Sequence, residues 1–234
     1  MNWQNLTYLF VDLSCILIPL IASFYPKHPF YKEWKYFLPA NLLVGLLFII
    51  WDYFFTEAGI WGFNADYLTG LYILNLPIEE ILFFIFIPYA CVFTWYALKY
   101  LLRQNFLRHI ERSLSLIMAI FLIGLAIISF NRLYTFITFL SAGIFLLTIY
   151  FSRTSLAWIY LSYLLIIPFF MASNGILTGS WIAEPIVWYN NQENLGIRIG
   201  TIPVEDSIYG FLLIALNIQL YKWIKQRATK KVIE

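Results

Sequence analysis

Two acidic motifs stand out in a chain that otherwise avoids charge, Pro77-Ile78-Glu79-Glu80 and Pro203-Val204-Glu205-Asp206. Each opens an apolar run, and ionisable residues at membrane depth are costly and usually functional. Two neighbouring carboxyls in a dry site do not both ionise readily. One is then available as a general acid and its neighbour as a base. Such chemistry needs no metal, redox cofactor or covalent intermediate, so no cofactor is expected. The motifs also suit a helix start, because Pro in the first turn is pre-organised and a nearby Glu complements the positive end of the macrodipole. Asn75 and Thr201 are the expected N-caps. A helix start accounts poorly, however, for two adjacent acids in both copies. Successive helical residues diverge by about 100°, so one carboxyl of each pair faces the bundle axis and the other a neighbouring helix or loop. Glu79, Glu80, Glu205 and Asp206 are the candidate catalytic residues.

Other polar and aromatic residues gather on the same side of the expected spans. Asp12 falls in the outer half of the first apolar run and Asp52 near the outer end of the second. Trp61, Phe63, Asn64, Trp188, Tyr189 and Asn190 lie in the outer loops, with Trp51 and Trp181 nearby. Aromatic rings there either anchor at the interface or stabilise a cation through their faces. The two asparagines serve either the loop fold or the site. Asp12, Asp52 and these six loop residues are the candidate substrate-binding set. Glu57, Asp66, Glu184 and Glu193 are read as solvated.

A fixed offset of 126 residues aligns the two acidic regions without a gap. Ile60, Asn64, Gly70, Ile73, Pro77 and Glu79 match Ile186, Asn190, Gly196, Ile199, Pro203 and Glu205. The division expected is a first repeat over residues 1–112, a connecting span over 113–131 and a second repeat over 132–234. Three helices plus one connector restore the starting direction, so the halves should be parallel repeats related by an axis along the membrane normal.

Elements of membrane length must position these residues. Of 234 residues, 62% are hydrophobic and 12% charged, about half the charged share of a soluble domain. A bilayer core of about 30 Å needs about 20 apolar residues in a helix. Seven stretches qualify: Leu6–Tyr25, Tyr36–Phe55, Leu76–Leu98, Leu114–Phe130, Leu133–Phe151, Ser155–Ala172 and Ile202–Trp223. The fold class expected is all-α, a polytopic membrane bundle of seven transmembrane helices. Thirteen of the fifteen Lys and Arg residues fall on one side of it, leaving only Arg132 and Arg198 on the other. By the positive-inside tendency, the N-terminus is outside and the C-terminus, with its basic tail Lys222–Lys231, is cytoplasmic. Met1-Asn2-Trp3-Gln4 lacks a positive n-region, so the first run is expected to stay as an anchor of an integral cell-membrane protein. The partners implied are membrane lipids and a lipophilic substrate, with no nucleic acid; oligomeric state is open.

Several chemistries lack their residues. Cys15 and Cys91 sit in apolar runs with no CxxC spacing, and His28 and His109 lie far from any acidic cluster, so no metal site is expected. There is no Gly-x-Gly-x-x-Gly fingerprint for a dinucleotide and no Asp-Asp-x-x-Asp for a magnesium diphosphate. A retinal Schiff base has no mid-membrane lysine in the last span. A small proton-coupled transporter is the alternative reading, since parallel three-helix repeats occur among transporters. It would need polar positions through both leaflets, whereas the acids here crowd one side.

Ile50-Trp51-Asp52, Gly59-Ile60-Trp61-Gly62-Phe63, Leu76-Pro77-Ile78-Glu79-Glu80 and Thr201-Ile202-Pro203-Val204-Glu205-Asp206-Ser207-Ile208-Tyr209-Gly210-Phe211 resemble the membrane-embedded lycopene cyclase domain family. Nearly the whole chain resembles its fused, stand-alone form, which is related to the cyclase part of fungal bifunctional lycopene cyclase/phytoene synthases. The resemblance implies a lycopene β-cyclase that converts lycopene to γ- and β-carotene by acid–base cyclisation, without redox change. It implies a carotenoid substrate held within the bilayer. Glu79 and Glu205 would be acid and base in unassigned order, with Glu80 and Asp206 tuning them or relaying protons.

Overall fold

A computed structural model describes residues 3–230; Lys231 of the basic tail and Met1-Asn2 of the N-terminus lie outside the described residues. The chain runs through α1 (Thr7–Ala22), α2 (Trp34–Glu57), β1 (Trp61–Phe63), β2 (Tyr72–Ile73), β3 (Leu76–Pro77), α3 (Ile78–Leu101), α4 (Glu111–Ile128), α5 (Leu133–Ser152), α6 (Ala157–Leu177), β4 (Val187–Tyr189), β5 (Arg198–Ile199), β6 (Ile202–Pro203) and α7 (Val204–Lys230). Among the described residues, seven helices are long and apolar enough to cross a membrane. They coincide with the seven expected apolar stretches, apart from end shifts such as α6, which continues to Leu177 rather than stopping near Ala172. Their outward faces carry exposed Leu, Ile and Phe, including Ile18, Leu42, Ile128 and Phe169. Lipid-facing helices require such residues, and this is why no narrow amphipathic stripe marks them.

The chain packs as two compact units. The first comprises Met1–Glu57, Ala65–Leu101 and Leu213–Glu234. Within it α3 packs on α1 and on α2. An aromatic core holds one end: Phe30 contacts Phe37, Tyr89, Phe93 and Tyr96, with centroids 5.0–5.8 Å apart. The C-terminal part of α7 is tied in through Tyr221, whose phenol donates to Glu33 at 2.6 Å while Lys225 pairs with the same carboxylate at 2.7 Å.

The second unit comprises Ala58–Asn64 and Leu102–Leu212. Here α4 packs along α5. Ala119, Ala126 and Ala142 are fully buried, and a Cβ on Gly143 would strike the Ile123 side chain and the Ala119 carbonyl. Small residues let helix backbones approach closely where no hydrophobic drive exists between lipid-solvated helices.

The outer loops, expected only as irregular connections, contain short strands. β2 pairs antiparallel with β3, and 126 residues later β5 pairs with β6 in the same register: Tyr72 opposite Pro77, Arg198 opposite Pro203. β1 pairs with β4 of the other repeat, in the same compact unit, with Trp61 opposite Tyr189, Gly62 opposite Trp188 and Phe63 opposite Val187. Since Val187 and Tyr189 are the repeat equivalents of Trp61 and Phe63, this pairing is locally twofold. Matching bonds flank it, from Asn64 N–H to Ile186 O and from Asn190 N–H to Ile60 O, both 2.8 Å.

Candidate functional site

Both acidic motifs sit where a two-residue strand turns directly into a helix. The hairpin satisfies the helix entry with main chain, because Ile78 N–H donates to Leu71 O at 2.9 Å and Val204 N–H to Ile197 O at 3.1 Å. The expected N-caps are therefore overturned. Asn75 turns its amide to Tyr53 O and Glu57, and the Thr201 hydroxyl bonds with Thr178 and Ser180. With the helix start already satisfied, the carboxyls are free for other partners.

In the first unit the two acids divide as helical geometry requires. Glu79 turns back to the loop and accepts from Thr69 N–H at 2.7 Å. Glu80 turns to α1 and accepts from the Tyr8 hydroxyl at 2.5 Å. Glu79 is completely buried, and its Oε2 has no hydrogen-bond partner. Asp12 lies one turn beyond Tyr8 on the same face of α1, completely buried and within Coulombic reach of both Glu79 and Glu80. Asp52, also buried, is within reach of the Tyr8 phenol. Beside Asp52 on α2, Phe48 stacks on Trp51 at 5.6 Å, and Trp51 meets Phe55 edge-on at 5.7 Å. Above the helix start, burial and the Glu79 charge push the Tyr72 phenol above its usual range.

In the second unit the same scheme returns at the 126-residue offset, more fully furnished. Glu205 accepts from Leu195 N–H at 2.7 Å and from the Thr135 hydroxyl at 2.6 Å. Its Oε2, like that of Glu79, is buried without a partner. Asp206 accepts from the Tyr134 hydroxyl at 2.5 Å, the Asn174 amide at 2.8 Å and the Tyr189 hydroxyl at 2.9 Å. Trp61, Tyr134, Tyr189 and Tyr209 form an aromatic box beside Asp206. Trp61 stands 5.1 Å from Tyr134 and 6.2 Å from Tyr209, while Tyr134 stacks on Tyr189 at 5.9 Å. Trp188 and Tyr189 also line a cleft of 340 Å³ with Thr178, Arg198 and Thr201.

Among the loop candidates, then, Trp61 and Tyr189 stand beside an acidic pair. The Asn64 amide donates to Glu184 at 3.3 Å, and the Asn190 side chain accepts from Gln192 N–H within its own turn. Both of these bonds lie within the outer loops. Phe63 is half-buried and Trp188 is 44% exposed. Glu193, read as solvated, instead caps α5, its carboxylate accepting from Leu133 N–H at 2.9 Å. Among the described residues, no group of three or more His, Cys, Asp or Glu is arranged to hold a metal ion.

Sequence reasoning missed Tyr8, Tyr134, Thr135 and Asn174. A signal for the tyrosines existed: Asn5-x-x-Tyr8-x-Phe10 recurs as Asn131-x-x-Tyr134-x-Phe136 at the offset that aligns the acidic motifs. Asn174 and Thr135 have no such signal, because their repeat equivalents are Phe48 and Leu9.

Comparison with known proteins yields the same two repeats. A family model described as lycopene cyclase matches residues 5–98 and 131–224, two copies displaced by 126 residues. Over 68 residues the chain is 40% identical to a bifunctional lycopene cyclase/phytoene synthase of Aspergillus niger, a stretch covering 26% of this chain and 11% of that protein. No solved structure matches the chain.

Proposed function

Because the chain belongs to the lycopene cyclase family, we propose that it is a lycopene β-cyclase of the intramolecular lyase or isomerase class, closing the linear end groups of lycopene to give γ- and β-carotene. The observation that carries the reading is the pair of bare oxygens. Glu79 and Glu205 are repeat equivalents, both completely buried, each with Oε1 fixed by a main-chain N–H at 2.7 Å and Oε2 unpartnered. A carboxyl held by one oxygen and bare at the other is oriented to exchange a proton with a substrate that offers no hydrogen bond of its own. A polyene is such a substrate.

The reaction needs nothing beyond these groups. A carboxylic acid protonates the terminal double bond and leaves a tertiary cation. The next double bond attacks it, closing a six-membered ring with the charge displaced along the chain. A carboxylate then removes a ring proton and restores neutrality, so the product is an isomer of the substrate. Glu79 and Glu205 supply acid and base, and Glu80 and Asp206, each tied to a tyrosine, orient and tune them. The ring faces of Trp61, Tyr134, Tyr189 and Tyr209 suit a passing cation. Seven apolar helices support a site within the bilayer, where a hydrocarbon of this length dissolves. Residues 1–112 and 132–234 as the two repeats, joined through 113–131 in the cell membrane with the N-terminus outside and the C-terminus cytoplasmic, belong to the same reading.

Expression in a bacterium that accumulates lycopene, followed by chromatography of its pigments, tests this. Conversion to γ- and β-carotene is expected. Glu79→Gln and Glu205→Gln should each lower it by about 100-fold or more at unchanged protein level. Unaltered lycopene beside well-inserted protein overturns the assignment, and normal turnover in either variant removes that residue from the mechanism.

A further inference from the structure

Asp12 is the most anomalous side chain in the first unit. It is completely buried, and neither of its oxygens has a hydrogen-bond partner. An ionised carboxylate cannot be left so, since burying an unpaired charge costs far more than keeping the group neutral. The groups facing it are the Tyr8 phenol on its own helix and the carboxyls of Glu79 and Glu80 on α3, with Asp52 on α2 in reach of the same phenol. The charged forms among its neighbours are all anions. Tyr8 and Asp12 are four residues apart on one helical face, and the Tyr8 hydroxyl already touches Glu80 at 2.5 Å. Asp12 thus belongs to one continuous cluster with the acidic pair.

The second repeat makes the opposite choice. Its equivalents of Asp12 and Asp52 are Thr138 and Thr178, so no extra carboxyl accompanies Glu205 and Asp206. Those two instead receive donors from Leu195 N–H, Thr135, Tyr134, Asn174 and Tyr189. The first repeat gathers acids and the second gathers donors.

We propose that Asp12 is a proton store: it holds a proton as the neutral carboxylic acid and passes it to the Glu79–Glu80 pair, so that the first repeat donates the proton of cyclisation and the second repeat's pair receives one. This rests on the cyclase reading above and deepens it. The balance is simple. Glu79 gives its proton to the substrate carbon, and Asp12 O–H, through Glu80 or directly, returns a proton to the emptied carboxylate. An equal proton leaves the ring for Glu205, passes to water, and a proton from water reloads Asp12. Asp12 does not touch the substrate in this scheme; it is a positioning and relay residue.

The test joins two measurements on the full chain in lipid bilayers. Infrared spectra near neutral pH should show the C=O stretch of a protonated carboxylic acid, shifted in heavy water. Asp12→Asn should remove a component of that band, and Asp12→Glu should keep it. With lycopene supplied, turnover should fall about tenfold to a hundredfold in Asp12→Asn and in Asp12→Thr, the residue type of the second repeat, and recover in Asp12→Glu. The amide bands of the same spectra report whether each variant is folded. An unchanged carboxylic-acid band in folded Asp12→Asn overturns the proposal, as does wild-type turnover in that variant. A wild-type chain that leaves lycopene untouched defeats the cyclase reading instead, whatever the infrared band shows.

Discussion

A carboxyl buried among apolar helices is defined by the donors it is given. Tyr8 and Tyr134 supply one each, reaching acids 72 residues further along the chain. Hydrogen bonds to a charged group contribute about 1.5–3 kcal/mol, and about 1.4 kcal/mol corresponds to a tenfold change in rate. Tyr8→Phe and Tyr134→Phe are therefore expected to slow lycopene conversion by about tenfold to a hundredfold, read as product per unit of membrane-inserted protein. Tyr163→Phe is the matched control. Its hydroxyl donates to the Ser207 main-chain carbonyl, so it should leave conversion within about threefold of wild type. If Tyr134→Phe turns over normally, the tyrosine has no part in orienting Asp206.

The element that positions each acidic pair is the hairpin before α3 and before α7. By turning strand straight into helix, it lets Thr69 and Leu195 point their N–H groups back at Glu79 and Glu205, ten residues on. Its two copies differ at the tight turn. Gly200 adopts φ +64° without cost, whereas Leu74, its equivalent, is held at φ +58° with its side chain 80% exposed. A left-handed conformation costs an L-residue roughly 1–2 kcal/mol. Leu74→Gly should relieve much of that, raising stability by about 1 kcal/mol in a thermal melt of the detergent-solubilised protein while activity is kept. A lowered melting temperature would show that the exposed Leu74 side chain is held by contacts that outweigh the turn.

Across the whole molecule, the charge asymmetry is the feature with a direct test. Thirteen of fifteen basic residues fall on one side of the expected topology. Gln192, in the loop before α7, and Thr229, near the end of α7, are both exposed. With the native Cys15 and Cys91 replaced by Ala, Gln192→Cys should react with a membrane-impermeant thiol reagent in intact cells, and Thr229→Cys only after lysis. Reaction of Thr229→Cys in intact cells would reverse the orientation.

The sequence alone determined what is local or periodic. Apolar runs of membrane length marked seven helices, and a constant offset marked two repeats. The paired Glu79-Glu80 and Glu205-Asp206 marked the candidate chemistry, because a carboxyl in an apolar run is costly and is kept there chiefly for function. Only the tertiary structure decided which groups the acids meet. Helices solvated by lipid are apolar on nearly every face, so no stripe tells which side of α1 or α5 turns toward α3 or α7. Thr135 and Asn174 thus look like ordinary interior residues until the fold brings them to a carboxyl. For the same reason the imbalance between the repeats, Asp12 without a hydrogen bond and Asp206 with three, was invisible in two motifs whose acidic pairs differ by a single methylene.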